Sequence, residues 1–383
     1  MNEVTHNLGR GLPASVIYEG LLAQGSGQWE AAHRAALTMA SEPATAHPDS
    51  AGLFYGAPAV AFALHTAGHR AYRSALGSLD KALATHVAAR LSAADDRMST
   101  GQPPRMREYD LISGLTGLGA YFLHRGSSPE SLHGVLRYLV RLLQDPVSVD
   151  GHQVPGWWTS DSPTARPEDT MPAGHGNFGM AHGVAGPIAL LALATRAGHT
   201  VPGQLETLAA SCRLLEQWAH PEPEGGAAWP ETVSLDAWLI GPTPRFYAGR
   251  PSWCYGTPGI ARALQLAALA CGRENSRSQA ESLLAACLRD AEQLVRVTDA
   301  TICHGWAGLC LVADLAASDT PADSPLRRTL PSLRAQFTTH LTQNPIPKDP
   351  GLLTGADGVL LTIHTLFPSR PVASAWGTCL LIT

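Results

Sequence analysis

The sequence predicts an all-α protein, an α/α toroid in which a ring of inner helices is wrapped by a ring of outer ones. Three observations carry that expectation. A glycine followed three residues later by glycine or alanine recurs six times, as YGAPA from Tyr55, SGLTG from Ser113, HGVAG from His182, YGTPG from Tyr255, HGWAG from His304 and TGADG from Thr354. Each pair opens a run that is apolar nearly all round, as a helix buried on several sides must be. Between these runs lie amphipathic stretches whose apolar residues recur at intervals of three and four.

The first glycines, at 56, 114, 183, 256, 305 and 355, are separated by 58, 69, 73, 49 and 50 residues, room in each unit for two helices and their connections. The inner helices are expected in AVAFAL, LGAYFL, PIALLALA, IARALQLAALA, LCLVADLAA and VLLTIHTL, taken in chain order. The outer ones are expected in RSALGSLDKALATHVAARL, PESLHGVLRYLVRLLQD, GQLETLAASCRLLEQW and SQAESLLAACLRDAEQLVRV. An open solenoid needs polar capping repeats; the sequence offers none, so the array is expected to close. The glycine pairs let the starts of the inner helices approach closely. Residues 1–383 form one domain in this reading, with residues 1–25 loosely ordered ahead of the first repeat.

Composition agrees with a large buried core: 45% of the 383 residues are hydrophobic and 15% charged. A net charge of −5 without basic tracts argues against a nucleic-acid surface. No unbroken run of 18 apolar residues spans a membrane, and MNEVTHNLGRGLPAS has no signal-peptide core. Seven cysteines, an odd number, fit no small disulfide framework and point to reduced thiols in the cytoplasm.

Two segments break the rhythm. Residues 145–179 and 220–252 are rich in Pro, Gly, Trp and Asp and immediately precede the repeats at His182 and Cys254. Long loops in a compact domain are commonly functional, so these are expected to wall the mouth of a site, with Trp157 and Trp158 contacting a ligand; surface packing is the alternative.

The chemistry gathers at the repeat starts. His182, Tyr255 and His304 stand one position before a first glycine, and Cys254 and Cys303 two before it. If the repeats are equivalent, these side chains meet at one end of the array. Two thiolates and an imidazole are good zinc ligands, and three protein ligands leave a fourth position open for catalysis. A buried cysteine alone is more often a small core hydrophobe; the matched offset is what favours metal at Cys254, Cys303 and His304. Cys212, Cys271, Cys287, Cys310 and Cys379 lie in apolar or helical runs and read as core. His182 is placed for acid/base work, the alternative being a structural hydrogen bond at a helix start. Asp110, four before Gly114, either orients a histidine or caps the helix. Arg250, four before Cys254, is an oxyanion partner or a surface ion pair. Asp357 fits no role.

SWCYGTPGI, ICHGWAGL and MAHGVAGP resemble the hallmark motifs of the lanthipeptide cyclases, the LanC-like family, and YDLISGLTG resembles that family's earlier aspartate motif. The resemblance spans roughly residue 50 to the end. It implies an α/α toroid of seven inner and seven outer helices, with the seventh inner helix expected near VASAWGTCLLIT. It implies Zn2+ on Cys254, Cys303 and His304, and roles for His182, Asp110, Arg250 and Tyr255 in acid/base and transition-state support. The implied reaction adds peptide cysteine thiols to dehydroalanine or dehydrobutyrine, giving lanthionine or methyllanthionine. The implied partners are a dehydrated precursor peptide, a dehydratase and an exporter. No segment is long enough for the extra peptide-binding domain that some members insert. Three alternatives stay open: addition of glutathione or another small thiol to dehydrated residues, a toroidal glycoside hydrolase, and a non-catalytic zinc-stabilised scaffold for a dehydratase. The hydrolase needs paired carboxylates, and the repeat starts offer only Asp110.

Overall fold

The computed structural model describes residues 5–163, 171–222, 225–243, 249–368 and 375–383. Inner and outer helices alternate along the chain. Inner α1 (Leu12–Ser26) leads to outer α2 (Glu30–Met39), then inner α3 (Ala57–Ala67) and outer α4 (Arg73–Ser99). The short α5 (Met106–Tyr109) precedes inner α6 (Leu115–Arg125) and outer α7 (Pro129–Gln144); inner α8 (Ala185–Arg196) and outer α9 (Gln204–Gln217) follow. After the short α10 (Leu235–Ile240) come inner α11 (Thr257–Ala270) and outer α12 (Glu274–Cys287). The short α13 (Ala291–Leu294), inner α14 (Trp306–Ser318), outer α15 (Pro325–Gln343) and inner α16 (Ala356–Leu366) complete the series. The described residues thus contain seven inner and six outer helices.

Burial separates the two rings as the periodicity requires. In α11, Thr257 to Ala268 are buried without interruption. In α4 only a stripe is buried, including Leu76, Leu83, Val87 and Ala94, the pattern of a helix with one apolar face. Each inner helix contacts the next, and α16 contacts α1, so the ring is closed.

The seventh inner helix is not where it was expected. Of VASAWGTCLLIT, residues 372–374 lie outside the described residues, and Trp376–Leu380 is a short 3-10 helix. The seventh is α1, drawn from the stretch expected to be loosely ordered; Pro13, Ala14, Val16, Ile17, Gly20, Leu21 and Ala23 are buried in it. It opens with RGLPA from Arg10, the same glycine-to-alanine spacing as YGAPA from Tyr55. Asp357, which suggested no role in the sequence, fastens this seam. Its Oδ2 accepts from Ser15 Oγ at 2.8 Å and from the Gly351 amide at 2.8 Å, joining α16 to α1.

The loops ahead of the inner helices are stitched into a second, smaller ring by backbone hydrogen bonds. Leu8 N donates to Phe54 O, Phe54 N to Ile112 O, Leu111 N to Ala181 O and Met180 N to Cys254 O. Cys254 N donates to Cys303 O, Cys303 N to Leu353 O, and Leu352 N back to Leu8 O, so the circuit closes. The second glycine of each pair packs against this circuit. A methyl on Gly308 would strike the carbonyl of Ile302, and one on Gly259 that of Trp253, in each case the residue six before. The repeat therefore marks where a loop must lie against the first turn of its own helix.

The C-terminal segment fills the axis. The 3-10 helix contacts α6, Trp376 Nε1 donates to Thr365 Oγ1 on α16, and Arg262 Nε on α11 donates to Ile382 O. These three helices are not neighbours around the ring, so the segment that touches all of them lies inside it.

The two irregular segments fold together. Antiparallel β1 (Val147–Val149) and β2 (His152–Val154) make a hairpin, and β3 (His175–Asn177) pairs with β6 (Thr232–Ser234). β4 (His220–Pro221) pairs with β5 (Ala227–Ala228). Residues 164–170, 223–224 and 244–248 of these segments lie outside the described residues. The tryptophans do not line a mouth. Trp157 and Trp158 are 1% and 0% exposed, and with Phe178, Trp218 and Trp238 they form an aromatic core, Trp218 stacked on Trp238 at 5.2 Å. Tryptophan's large apolar surface favours such a core over a wet rim. Among the described residues no helix is long and apolar enough to cross a membrane.

Candidate active site

The closed circuit of loops points one residue of every repeat into a common cavity of about 370 Å³. In ring order the residues before the first glycines are Arg10, Tyr55, Ser113, His182, Tyr255, His304 and Thr354, and all but His304 line it, along with Cys254 and Cys303. A larger groove of about 500 Å³, between Leu288–Leu294 and α15, holds none of these side chains.

Cys254, Cys303 and His304 come together: a sulfur from each cysteine and a ring nitrogen all lie within 4.8 Å of one another. The bond from Cys254 N to Cys303 O, at 3.2 Å, fixes the two loops in register and so brings the sulfurs together. The Cys303 thiol, then His304 and Ser252, hold the Cys254 thiol well below its ordinary range against the burial that would raise it, and Ser252 Oγ stands 3.5 Å from its sulfur. Cys303 is pushed up by donating to Cys254 and by burial. Two sulfurs and an imidazole nitrogen at this spacing suit a thiophilic divalent ion, whose binding would release the thiol protons.

His182 and Asp110 also meet. His182 Nδ1 lies 2.7 Å from Asp110 Oδ2. Asp110 is buried, and its Oδ1 accepts from the Ser113 and Gly114 amides at 2.7 and 2.8 Å. The carboxylate thus binds two amides of the turn that leads into α6 with one oxygen and faces the histidine ring with the other. Burial lowers the affinity of His182 for its proton, but the Asp110 hydrogen bond and charge, with the Cys254 charge, outweigh it and raise the pKa above 6.5. With Nδ1 engaged by Asp110, Nε2 is the nitrogen left free.

Tyr255 joins them from the next repeat. Asn177 Nδ2 donates to its hydroxyl at 3.0 Å, and burial keeps the phenol protonated. Arg250 is exposed and does not line the cavity. Its charge nonetheless acts on Cys303 and on Glu231, opposing the burial that raises both.

Three further residues support this constellation and were not singled out in the sequence. Asn177 positions Tyr255 and also accepts from Gly179 N at 3.0 Å. Asp299 places Oδ2 3.5 Å from His304 Nε2 while its Oδ1 accepts from Thr301 N at 2.8 Å. Arg90 on α4 donates to the carbonyls of Ala51, Ser113 and Arg107, clamping the loop that carries Asp110. A signal for two of them was present: Asn177, Arg250 and Asp299 each stand six residues before a first glycine. Arg90 gives no such signal, because it reaches the loop from the outer ring.

A model of the lanthionine synthetase C-like protein family matches residues 11–381. The chain belongs to the lanthionine synthetase C-like family. The curated nisin biosynthesis protein NisC of Lactococcus lactis subsp. lactis is 25% identical over 246 residues, which take in 64% of this chain and 56% of that protein. The match thus spans little more than half the length of that relative. The solved structure of nisin cyclase superposes with a TM-score of 0.81 at 19% identity, covering 100% of this chain and 93% of the other. At that identity the likeness establishes the fold, the α/α toroid.

Proposed function

We propose that this protein is a zinc-dependent lanthipeptide cyclase that closes thioether rings in a dehydrated precursor peptide. The observation that carries the reading is one cavity lined by Cys254 and Cys303, whose sulfurs lie within 4.8 Å of each other and of a His304 ring nitrogen, and by a histidine held 2.7 Å from a buried carboxylate. Cys254, Cys303 and His304 would hold the ion; when bound, it supplies a site where a peptide thiol is deprotonated near neutral pH and remains nucleophilic.

The remaining work falls to the chain's own groups. A carbon–sulfur bond forms between the thiolate and the β-carbon of the dehydroamino acid, and the alkene pair moves toward the α-carbon and its carbonyl oxygen. Preorganised donors in a water-poor pocket stabilise such charge best. The Tyr255 hydroxyl, protonated and oriented by Asn177, is suited to that oxygen, and Arg250 adds positive charge from the rim. His182, whose hold on a proton the Asp110 hydrogen bond and charge strengthen, is placed to give a proton from Nε2 to the α-carbon. The thiol proton and the α-carbon proton balance, so the reaction is an isomerisation.

Zinc-binding thiols favour a reducing compartment, and all seven cysteines are free, which supports a cytoplasmic enzyme. The alkene must be made first, so a dehydratase acts upstream on the same peptide; an exporter would act after it. The test is to incubate a dehydrated peptide with the zinc-loaded protein and count free thiols by alkylation. One thiol should disappear per ring without change of mass before alkylation. An unchanged thiol count would overturn the proposal.

A further inference from the structure

We infer that Arg10 is a specificity-determining residue of this cavity, favouring peptides with an acidic residue beside the reacting dehydroamino acid and disfavouring basic ones. The inference rests on the cyclase reading for the identity of the ligand as a peptide, and on the seven-repeat ring for its placement.

Arg10 stands one position before Gly11, the register that His182, Tyr255 and His304 occupy in their repeats. The Gly11 repeat is brought into the circuit by the bonds from Leu8 N to Phe54 O and from Leu352 N to Leu8 O, with Leu353 N donating to Gly9 O. Arg10 therefore lines the cavity with His182, Cys254 and Cys303. Its backbone is pinned, since its amide donates to Asn7 Oδ1 at 3.0 Å. Its guanidinium makes no hydrogen bond or ion pair among the described residues and is exposed. It is the one permanent charge among the cavity's lining residues, which include no carboxylate. The chain as a whole is acidic, at −5. An unpaired guanidinium at the edge of the cavity is matched by a carboxylate, which it can bind in two-pronged fashion, and repels lysine or arginine.

The experiment uses two dehydrated peptides that differ only in Asp or Lys next to the dehydroalanine. Affinity is measured by calorimetry on the zinc-loaded protein, and ring closure by thiol counting. The wild-type protein should prefer the Asp peptide by on the order of tenfold in Kd and KM, the scale of one charge-assisted contact. Arg10→Ala should erase the preference, Arg10→Glu should invert it, and Arg10→Lys should keep most of it, all with zinc content unchanged. Absence of a preference in the wild type, or its survival in both Arg10→Ala and Arg10→Glu, overturns the inference. If the charge preference follows Arg10 in binding while no thiol is consumed, Arg10 stands as a recognition residue and the cyclase reading falls.

Discussion

His182 and Asp110 show how one residue's chemistry depends on the proton balance of another. Burial alone would lower the pKa of His182; the hydrogen bond and charge of Asp110, 2.7 Å away, outweigh it. Because the folded pKa is raised, the pair's contribution to stability is full below pH 6.5 and is lost as pH rises through the raised value. Ring closure that depends on the protonated form falls over the same window. Asp110→Asn should bring the His182 pKa down below 6.5, read by NMR of the imidazole, and slow ring closure while zinc is retained. A single acid/base group typically contributes 10²–10⁴-fold, and the loss should not multiply with that of His182→Asn, since both serve one proton transfer. An unmoved His182 titration in Asp110→Asn would show that the carboxylate acts only as a helix cap.

At this scale the sequence was legible wherever repeats share an offset. Cys254, Cys303 and His304 fell together because the positions before the glycines are structurally equivalent. Arg10 shares that offset and escaped notice, since its own neighbours carry no thiol or imidazole to draw attention. Asn177 and Asp299 share the offset of Arg250, but a single asparagine or aspartate six residues before a glycine has no distinctive chemistry until its partners, Tyr255 and His304, are in place.

Among the elements, the inner helices declared themselves by burial on all sides, and the outer ones by a single stripe. Helix α1 was harder to see. Tyr18 and Glu19 interrupt its apolar run, and its glycine is followed by alanine at the second site. Its place depends on the partner at the far end of the chain, through Ser15 and Asp357. That seam predicts a stability effect without a chemical one. Asp357→Ala leaves the Gly351 amide and Ser15 hydroxyl without their acceptor and should destabilise the fold by about 1–3 kcal/mol, measured by urea unfolding. Wild-type stability in this variant would mean that the α1–α16 seam is held by packing alone. The aromatic insert misled for a different reason: Trp content signals order, and order here means that the rings pack on each other and not on a ligand. Its contribution to the site is indirect, through Asn177 at the end of β3.

Taken whole, the molecule is a ring that closes twice, once through its helices and once through the backbone bonds of its loops. That second closure makes the site a property of all seven repeats, although only the repeats of His182, Cys254 and His304 supply its most reactive groups. The large core also buries neutral histidines. Burial holds His124 and His175 down to about 4. In the unfolded chain each titrates near 6.5, so the unfolded state binds more protons between those values. Stability should therefore fall as pH drops from about 6.5 toward 4, by on the order of 1–3 kcal/mol for each histidine. Thermal unfolding at pH 7.5 and 4.5, with His175→Gln for comparison, reads this directly. A melting temperature independent of pH across the window would contradict neutral burial.

The loop circuit brings together three residues from a stretch of about fifty, and we propose that they form one zinc site. The most direct measurement is the metal content of purified protein, by atomic emission, for the wild type and for Cys254→Ala. The wild type should carry about one zinc per chain and the variant should lose most of it, with helical content preserved because so large a core does not need a metal to fold. Full zinc occupancy in Cys254→Ala, or a wild-type protein that takes up none when zinc is supplied, would contradict the proposal.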